Sequence, residues 1–551
     1  MEKENTRVRL LLKTIAQEST TLRLLSFDPE RLKKQFGLSD ADLDALRSAD
    51  LLRASELSGR RNPANLKAFM PGSETAGAGV IGSTGVSPLP LPPPPPPPGV
   101  LIVNMTPRSL SGEQNQDSEP TIAVNPSNTQ QIAGTAFTPN PSGAGNAPIY
   151  VSSDGGQTWV LNAIVGSQVN TADITISFSE STNHLYAGTI VLPIQNNTPR
   201  VNICRTNNLQ GPNTMTVLFN QQGQGLDQPR VLATTVGGKD RVYVGVNDFN
   251  AVPSTATIEV SLDAASSTAS FNSARIDPRP TGNAGQDGPS VQPAIASDGK
   301  AIYAIYYHWT AAGAGNVITA DIVVVRDDNG ASAPHPFSAL VDSDGLAGKR
   351  VVQGISFQFD AFIGQERTGG DVAIAVDPTN SSNVYIVYAD RQPGAYTLHV
   401  RRSTDRGVTW SAADLLTIPN ATNPFLAINA VGKVGLVYQQ VTGAGASQRW
   451  VTHLRRTTDG ATWNDLDLAN VPANTPAKQF DPFLGDYVHL LAVGNAFYGI
   501  FCANNTPDPA NFPNGVRYQR NANFSTHTLL AIDGTTPVPA SIDPFFFTVT
   551  N

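Results

Sequence analysis

Residues 100–551 are predicted to be all-β, a β-propeller of four-stranded antiparallel sheets. The repeats count to seven blades, or six if the long fourth unit carries an insertion. Three observations predict this. Only 15% of the residues are charged, while Gly (47) and Pro (42) are abundant, which favours short strands joined by tight turns. A strand pattern repeats along the chain at intervals of roughly 50 to 80 residues. Long alternations of helix and strand, the mark of a parallel sheet, are missing from the pattern.

Each repeat opens on a short polar residue and then an apolar run. Glu119-Pro120 opens EPTIAVNP, Gln228-Pro229 opens QPRVLAT, Gln292-Pro293 opens QPAIASD, Asn423-Pro424 opens NPFLAIN and Asp481-Pro482 opens DPFLGDY. Asp173 in DITISFS and Asp371 in DVAIAVDP open two more without the proline. A second strand follows each opening (QIAGTAF, HLYAGTIVL, RVYVGVND, AIYAIYYHW, NVYIVYAD, KVGLVYQQ, AFYGIFCAN). The predicted third strands are PIYVSSD, RVNICRT, TIEVSLD, DIVVVRD, LHVRRSTD, VTHLRRTTD and VRYQRN. A less regular fourth strand closes each unit, and four strands per unit around a ring make propeller blades.

Two regions precede the repeats. Residues 1–60 read as a small helical region. Leu10, Leu11, Leu12 and Ile15 form an apolar stripe, Asp28-Pro29 starts a helix, and Ser39 with Asp42 resembles a capping box. Within it, DPERLKKQFGLSDADLDAL resembles the helical leader or docking modules of bacterial precursor peptides, which implies a docking partner for these helices. Residues 61–99 form a Gly/Ser/Pro-rich linker ending in seven prolines, Pro92 to Pro98: flexible chain, then a stiff rod.

One short pattern occurs three times. SSDGGQTW (Ser152, Asp154, Gly156, Trp159) returns as STDRGVTW (Ser403, Asp405, Gly407, Trp410) and, one residue shorter, as TTDGATW (Asp459, Trp463). Its chemistry suits the turn between third and fourth strands. The carboxylate accepts backbone N–H groups, the glycine takes positive φ, and the tryptophan supplies an apolar face. The pattern resembles the Asp-box, S-x-D-x-G-x-T-W, of the sialidase superfamily and related BNR-repeat propellers, over roughly residues 107–551. That resemblance implies a turn on the outer rim, remote from any active site.

The same resemblance implies a set of catalytic candidates: three arginines that clamp a carboxylate, here Arg230, Arg391 and Arg517, with Tyr518 as nucleophile and Glu366 to polarise it. The family's first arginine lies in an F/Y-R-I-P pattern, and the corresponding stretch here reads SEPTIAV. A second group, Asp117, Glu119, Asp227, Asp371, Asp481 and Asp486, falls at or near first-strand starts and should ring one mouth of the channel. Such a ring suits a polyol or a cation. The expected function is therefore recognition of a glycan or protein ligand by a propeller on a stalk. The alternative is a glycoside hydrolase of exo-sialidase type.

The remaining features bound the possibilities. A net charge of -8 without a basic cluster argues against nucleic acid. No run reaches the ~18 apolar residues of a membrane span. Seven histidines form no HxH or HExxH spacing, so neither a metal nor another cofactor is expected. Cys204 and Cys502 are expected to be free, half-buried thiols. The N-terminus lacks the apolar core of a secretory signal, and an extracellular or cell-surface location is favoured on the stalk design alone.

Overall fold

The computed structural model describes residues 99–550 except 138–148, 163–170, 192–199, 212–213, 223–225, 249–253, 283–286, 289, 315–316, 333, 359–370, 393–394 and 477–483. The predicted helical region and nearly all of the linker lie outside the described residues, as do Glu366 and Asp481.

The described chain is strand, turn and three short 3-10 segments. Six four-stranded antiparallel sheets follow one another, each ordered as the chain runs: sheet 1 over 118–162, sheet 2 over 171–222, sheet 3 over 226–275, sheet 4 over 292–358, sheet 5 over 372–419 and sheet 6 over 421–472. A five-stranded closing sheet joins the two ends of the described chain, and a small three-stranded sheet lies at 522–538. The first strands of sheets 1 to 6 and His489–Val493 of the closing sheet touch in succession, and the last touches the first. This closed ring of first strands around a channel is the β-propeller arrangement.

Apolar side chains pack between the sheets. Tyr303, Tyr306, Tyr307, Tyr388 and Trp450 are among the largest fully buried side chains. Cys204 and Cys502 are free, as expected, but fully buried, because both face the core from strands. Burial pushes the Cys204 thiol up to about 12.

The openings read from the sequence fall on first strands in sheets 1 to 6. The seventh does not. DPFLGDY precedes the closing sheet's inner strand, which is His489–Val493. The expected third strand VRYQRN is likewise displaced: only Arg517–Tyr518 pairs there, in parallel with Val103–Asn104 at the outer edge. The third strand is Ile542–Val549, and Val100–Asn104 supplies the fourth. The ring closes by bringing the chain's two ends together, which a repeat counted along one direction misses.

Asp543 anchors this closure. Its carboxylate accepts Asn104 Nδ2 at 2.7 Å, Thr106 Oγ1 at 3.1 Å, Asn505 Nδ2 at 2.6 Å and Arg520 Nη1 at 2.9 Å. Arg520 also donates to the carbonyls of Ser111 and Glu113. Both side chains are wholly buried, so the pair depends on these hydrogen bonds, and the Arg520 Nε–H has no partner among the described residues.

The three Asp-containing turns close on themselves. Asp154 accepts Ser152 Oγ at 2.8 Å, Thr158 N at 2.9 Å and Thr158 Oγ1 at 2.6 Å. Trp159 Nε1 donates to Gly156 O at 3.0 Å, and Gly156 takes φ 89°. Asp405 repeats these contacts with Ser403 and Thr409, and Trp410 Nε1 donates to Gly407 O at 3.1 Å. In the shortened copy Asp459 accepts Thr457 Oγ1 and the N–H groups of Ala461 and Thr462, each at 2.8 Å.

Candidate functional site at the channel mouth

Three of the polar-Pro openings are β-bulges, whereas Gln292-Pro293 of sheet 4 pairs in regular register. In sheets 1, 3 and 6 the register shifts between Ser118 and Thr121, Asp227 and Arg230, and Thr422 and Phe425. Each proline removes a ladder donor and excludes the residue before it from the right-handed helical region. That residue takes positive φ: Glu119 51°, Gln228 48°, Asn423 52°. Left-handed backbone at a non-glycine residue costs about 1 kcal/mol or more. Bulges also re-aim side chains. Glu119 and Asn423 thus arrive together at one mouth of the channel, both beside Gly485.

Arg230 sits at the centre. Its guanidinium carbon lies 3.5 Å from the centroid of the Tyr487 ring, and Nη2 lies 3.6 Å from Asp371 Oδ2. Asp371 Oδ1 accepts Ser290 Oγ at 2.6 Å and Val372 N at 2.9 Å. Burial raises the Asp371 carboxyl above its ordinary range, and Arg230 offsets part of the rise. Burial pushes the Tyr487 phenol well up, and the charges of Glu119 and Asp173 push it further. Asp486 adds to the same field. Arg230 thus pairs with Asp371 and stacks on a ring that lies in the field of Glu119, Asp173 and Asp486.

Beside this layer, His489 Nδ1 accepts Ile122 N at 3.1 Å, which leaves the proton on Nε2. Burial, then the nearby Arg230, lowers its pKa to about 3, so the ring is neutral. Asn423 Nδ2 donates to Gln439 Oε1 and to Gly485 O. Gly485 has φ 95°, and a Cβ there would meet Glu119 N at 2.3 Å, so only glycine allows this approach. The channel behind holds a cavity of about 330 Å³, walled by aliphatic first-strand residues such as Val231, Ile374 and Leu490, with Arg230 and His489 among its lining.

Of the sequence-predicted acidic ring, Asp117, Glu119, Asp371 and Asp486 are buried and Asp227 is half-buried on its bulge. Of the predicted catalytic residues that are described, only Arg230 stands in this layer; Glu366 lies outside the described residues. Arg391 ends the second strand of sheet 5, where its carbonyl accepts Ser356 Oγ. Arg517 is exposed on the outermost strand of the closing sheet. Tyr518 donates to Asn505 O at 2.9 Å and packs among Phe512, Phe524 and Phe545. The structure therefore does not bring the three arginines together, because the tail of the chain returns to the ring's outer edge. Tyr487 and His489 were not read from the sequence. Their one signal was proximity to Asp486, already counted among the acidic residues.

No family model matches the chain, and no curated protein matches it. Solved structures do. An α-L-arabinofuranosidase from Fusarium graminearum in complex with an iminosugar inhibitor matches at TM-score 0.40 and 10% identity, covering 81% of this chain and 97% of that one. An α-L-arabinanase from Penicillium chrysogenum complexed with arabinobiose matches at 0.38 and 11%, covering 83% and 98%. Sqt1 from Chaetomium thermophilum matches at 0.37 and 12%, covering 81% and 98%. Likeness this distant says nothing of what the present chain does.

Proposed function

We propose that the protein is a recognition module whose channel mouth takes a neutral, hydroxyl-rich ligand of the glycan class. One observation carries the reading: Arg230 is already paired with Asp371 and lies in the field of Glu119, Asp173 and Asp486. An acidic sugar would meet one guanidinium whose charge is already balanced among several carboxylates, and would be repelled here. Carboxylates, amides and a stacked aromatic ring suit sugar hydroxyls and C–H faces. A protein ligand is the other occupant such a face would take.

The same reading makes the ring seven-bladed and places its three Asp turns with the Asp-box propellers. Residues 61–99 act as the stalk and residues 1–60 as the docked head, displayed outside the cell. A hydrolase reading rests on one further observation: burial raises the Asp371 carboxyl and Asp486 lies near enough to add to the rise, and a pair of neighbouring carboxyls is the equipment of glycoside hydrolysis.

The test is an array of neutral and sialylated glycans probed with the full chain, reading both protein retention and loss of terminal sugar. Retention on neutral glycans without sugar loss is expected. Selective retention on sialylated glycans would overturn the reading. Loss of a terminal sugar would convert it to the hydrolase, and silence in both readouts would leave a protein ligand.

A further inference from the structure

We propose that Asp277, Asp287 and His308 form a binding site for one divalent transition-metal ion of the zinc class. His308 lies on the second strand of sheet 4, and both aspartates come from the chain entering that sheet. Asp277 Oδ2 is 2.6 Å and Asp287 Oδ1 3.4 Å from His308 Nδ1. All three atoms lie within 4.8 Å of one another, and the residues are buried. The opposite oxygens are held by the backbone. Asp277 Oδ1 accepts Arg279 N at 2.9 Å, and Asp287 Oδ2 accepts Thr255 N at 3.0 Å and Ala256 N at 2.9 Å. Each carboxylate is thereby fixed with its second oxygen facing the histidine. Asp287 Oδ1 is fully buried and has no hydrogen-bond partner.

Sheets 5 and 6 supply the contrast. There too a histidine sits between two aspartates: His399 with Asp414 and Asp390, and His453 with Asp465 and Asp467. In both, an arginine hydrogen-bonds the same carboxylate, Arg401 on Asp414 and Arg455 on Asp465. Those carboxylates also reach solvent. Near His308 the nearest guanidinium, Arg279 Nη1, is 3.9 Å from Asp277 Oδ1, and its hydrogen bonds go to Asp344 and the carbonyls of Ala347 and Gly348. Two buried carboxylates thus share one imidazole, where a dry interior demands a fuller counter-charge.

A divalent ion supplies it, displacing the Nδ1 proton to solvent. Two carboxylate oxygens and an imidazole nitrogen suit zinc and its neighbours, with a fourth position open. Calcium asks for six to eight oxygens and does not fit.

The experiment uses the full chain, stripped with chelator, incubated with zinc chloride and desalted, with metal counted by mass spectrometry. One zinc per chain is expected, with proton release on binding, at least tenfold weaker affinity at pH 6 than at pH 8, and a raised Tm. Asp287→Asn and His308→Gln should abolish uptake, and His453→Gln should keep it. Uptake below a tenth of an equivalent, or uptake undiminished in both site variants, overturns the proposal. Cobalt(II) gives a readout that does not depend on variant folding: visible bands of a nitrogen–oxygen site are expected in the unaltered protein, and their absence overturns the proposal equally.

Discussion

The rim turns and the channel mouth use the same amino acids in opposite ways. At the rim, Asp154 finds its partners within four residues, Ser152 and Thr158, and its carboxyl is held below the ordinary range. At the mouth, Asp371 depends on Ser290, 81 residues away, and on Arg230, and its carboxyl is raised. A carboxylate that carries its own donors is a fastener and tolerates change around it. A carboxylate whose donors converge from other sheets depends on all of them, and that dependence is what a binding site exploits.

The sharpest way to break the comparison is to remove Arg230. Arg230→Leu leaves Asp371 buried without its counter-ion and should cost about 3–5 kcal/mol in denaturant unfolding. The double variant Arg230→Leu with Asp371→Asn should recover much of that loss, because no charge is then stranded. Next comes Trp159→Ala. Trp159 is 2% exposed and packs on Phe546 with ring centroids 5.2 Å apart. Its loss should cost about 3 kcal/mol, with a smaller loss for the half-buried Trp410, both read as shifts in Tm.

Smaller effects sharpen the contrast. Ser403→Ala removes a donor to Asp405 and an acceptor for Gly407 N, which should cost about 1 kcal/mol without altering glycan retention. Gln228→Gly relieves a left-handed backbone and should stabilise by about 0.5–1 kcal/mol in thermal unfolding. If the mouth binds glycan, the same change should weaken retention.

Acid should separate the two regions by sign. Asp459 is held at about 2 by backbone donors, below its unfolded value of about 4. Its contribution is present above about pH 4 and lost as pH falls through about 2. Asp371 is raised above its unfolded value, so its ionisation opposes folding, and acidification through that range relieves it. Carbon-13 titration of labelled aspartates should place the Asp459 transition near 2 and that of Asp371 above the ordinary carboxylate range.

What could be read in advance follows the same division. SSDGGQTW is legible because every contact it makes is local. The first strands of sheets 1 to 6 are legible because a polar residue, often with proline, marks each entry, and the structure adds that the proline entries of sheets 1, 3 and 6 are bulges. Neither advantage reaches the closing sheet, where Val100 pairs with Val549. The stacking of Arg230 on Tyr487 joins residues 257 positions apart, given by their numbers alone. Late position drew Arg517 and Tyr518 into the expected site, but chain order places a residue around the ring and not along its radius.

The closing sheet has a mechanical consequence. Any tension arriving through residues 1–98 enters at Gly99 and loads Val100–Asn104 lengthwise. That strand is held on one side by five paired positions, Val549 to Phe545, and on the other by Arg517 and Tyr518. A pull in this direction shears all of these pairs at once, and the Asn104 bond to Asp543 with them. A tether attached at Gly99 would therefore load the ring in shear across its closing sheet and not peel one pair at a time.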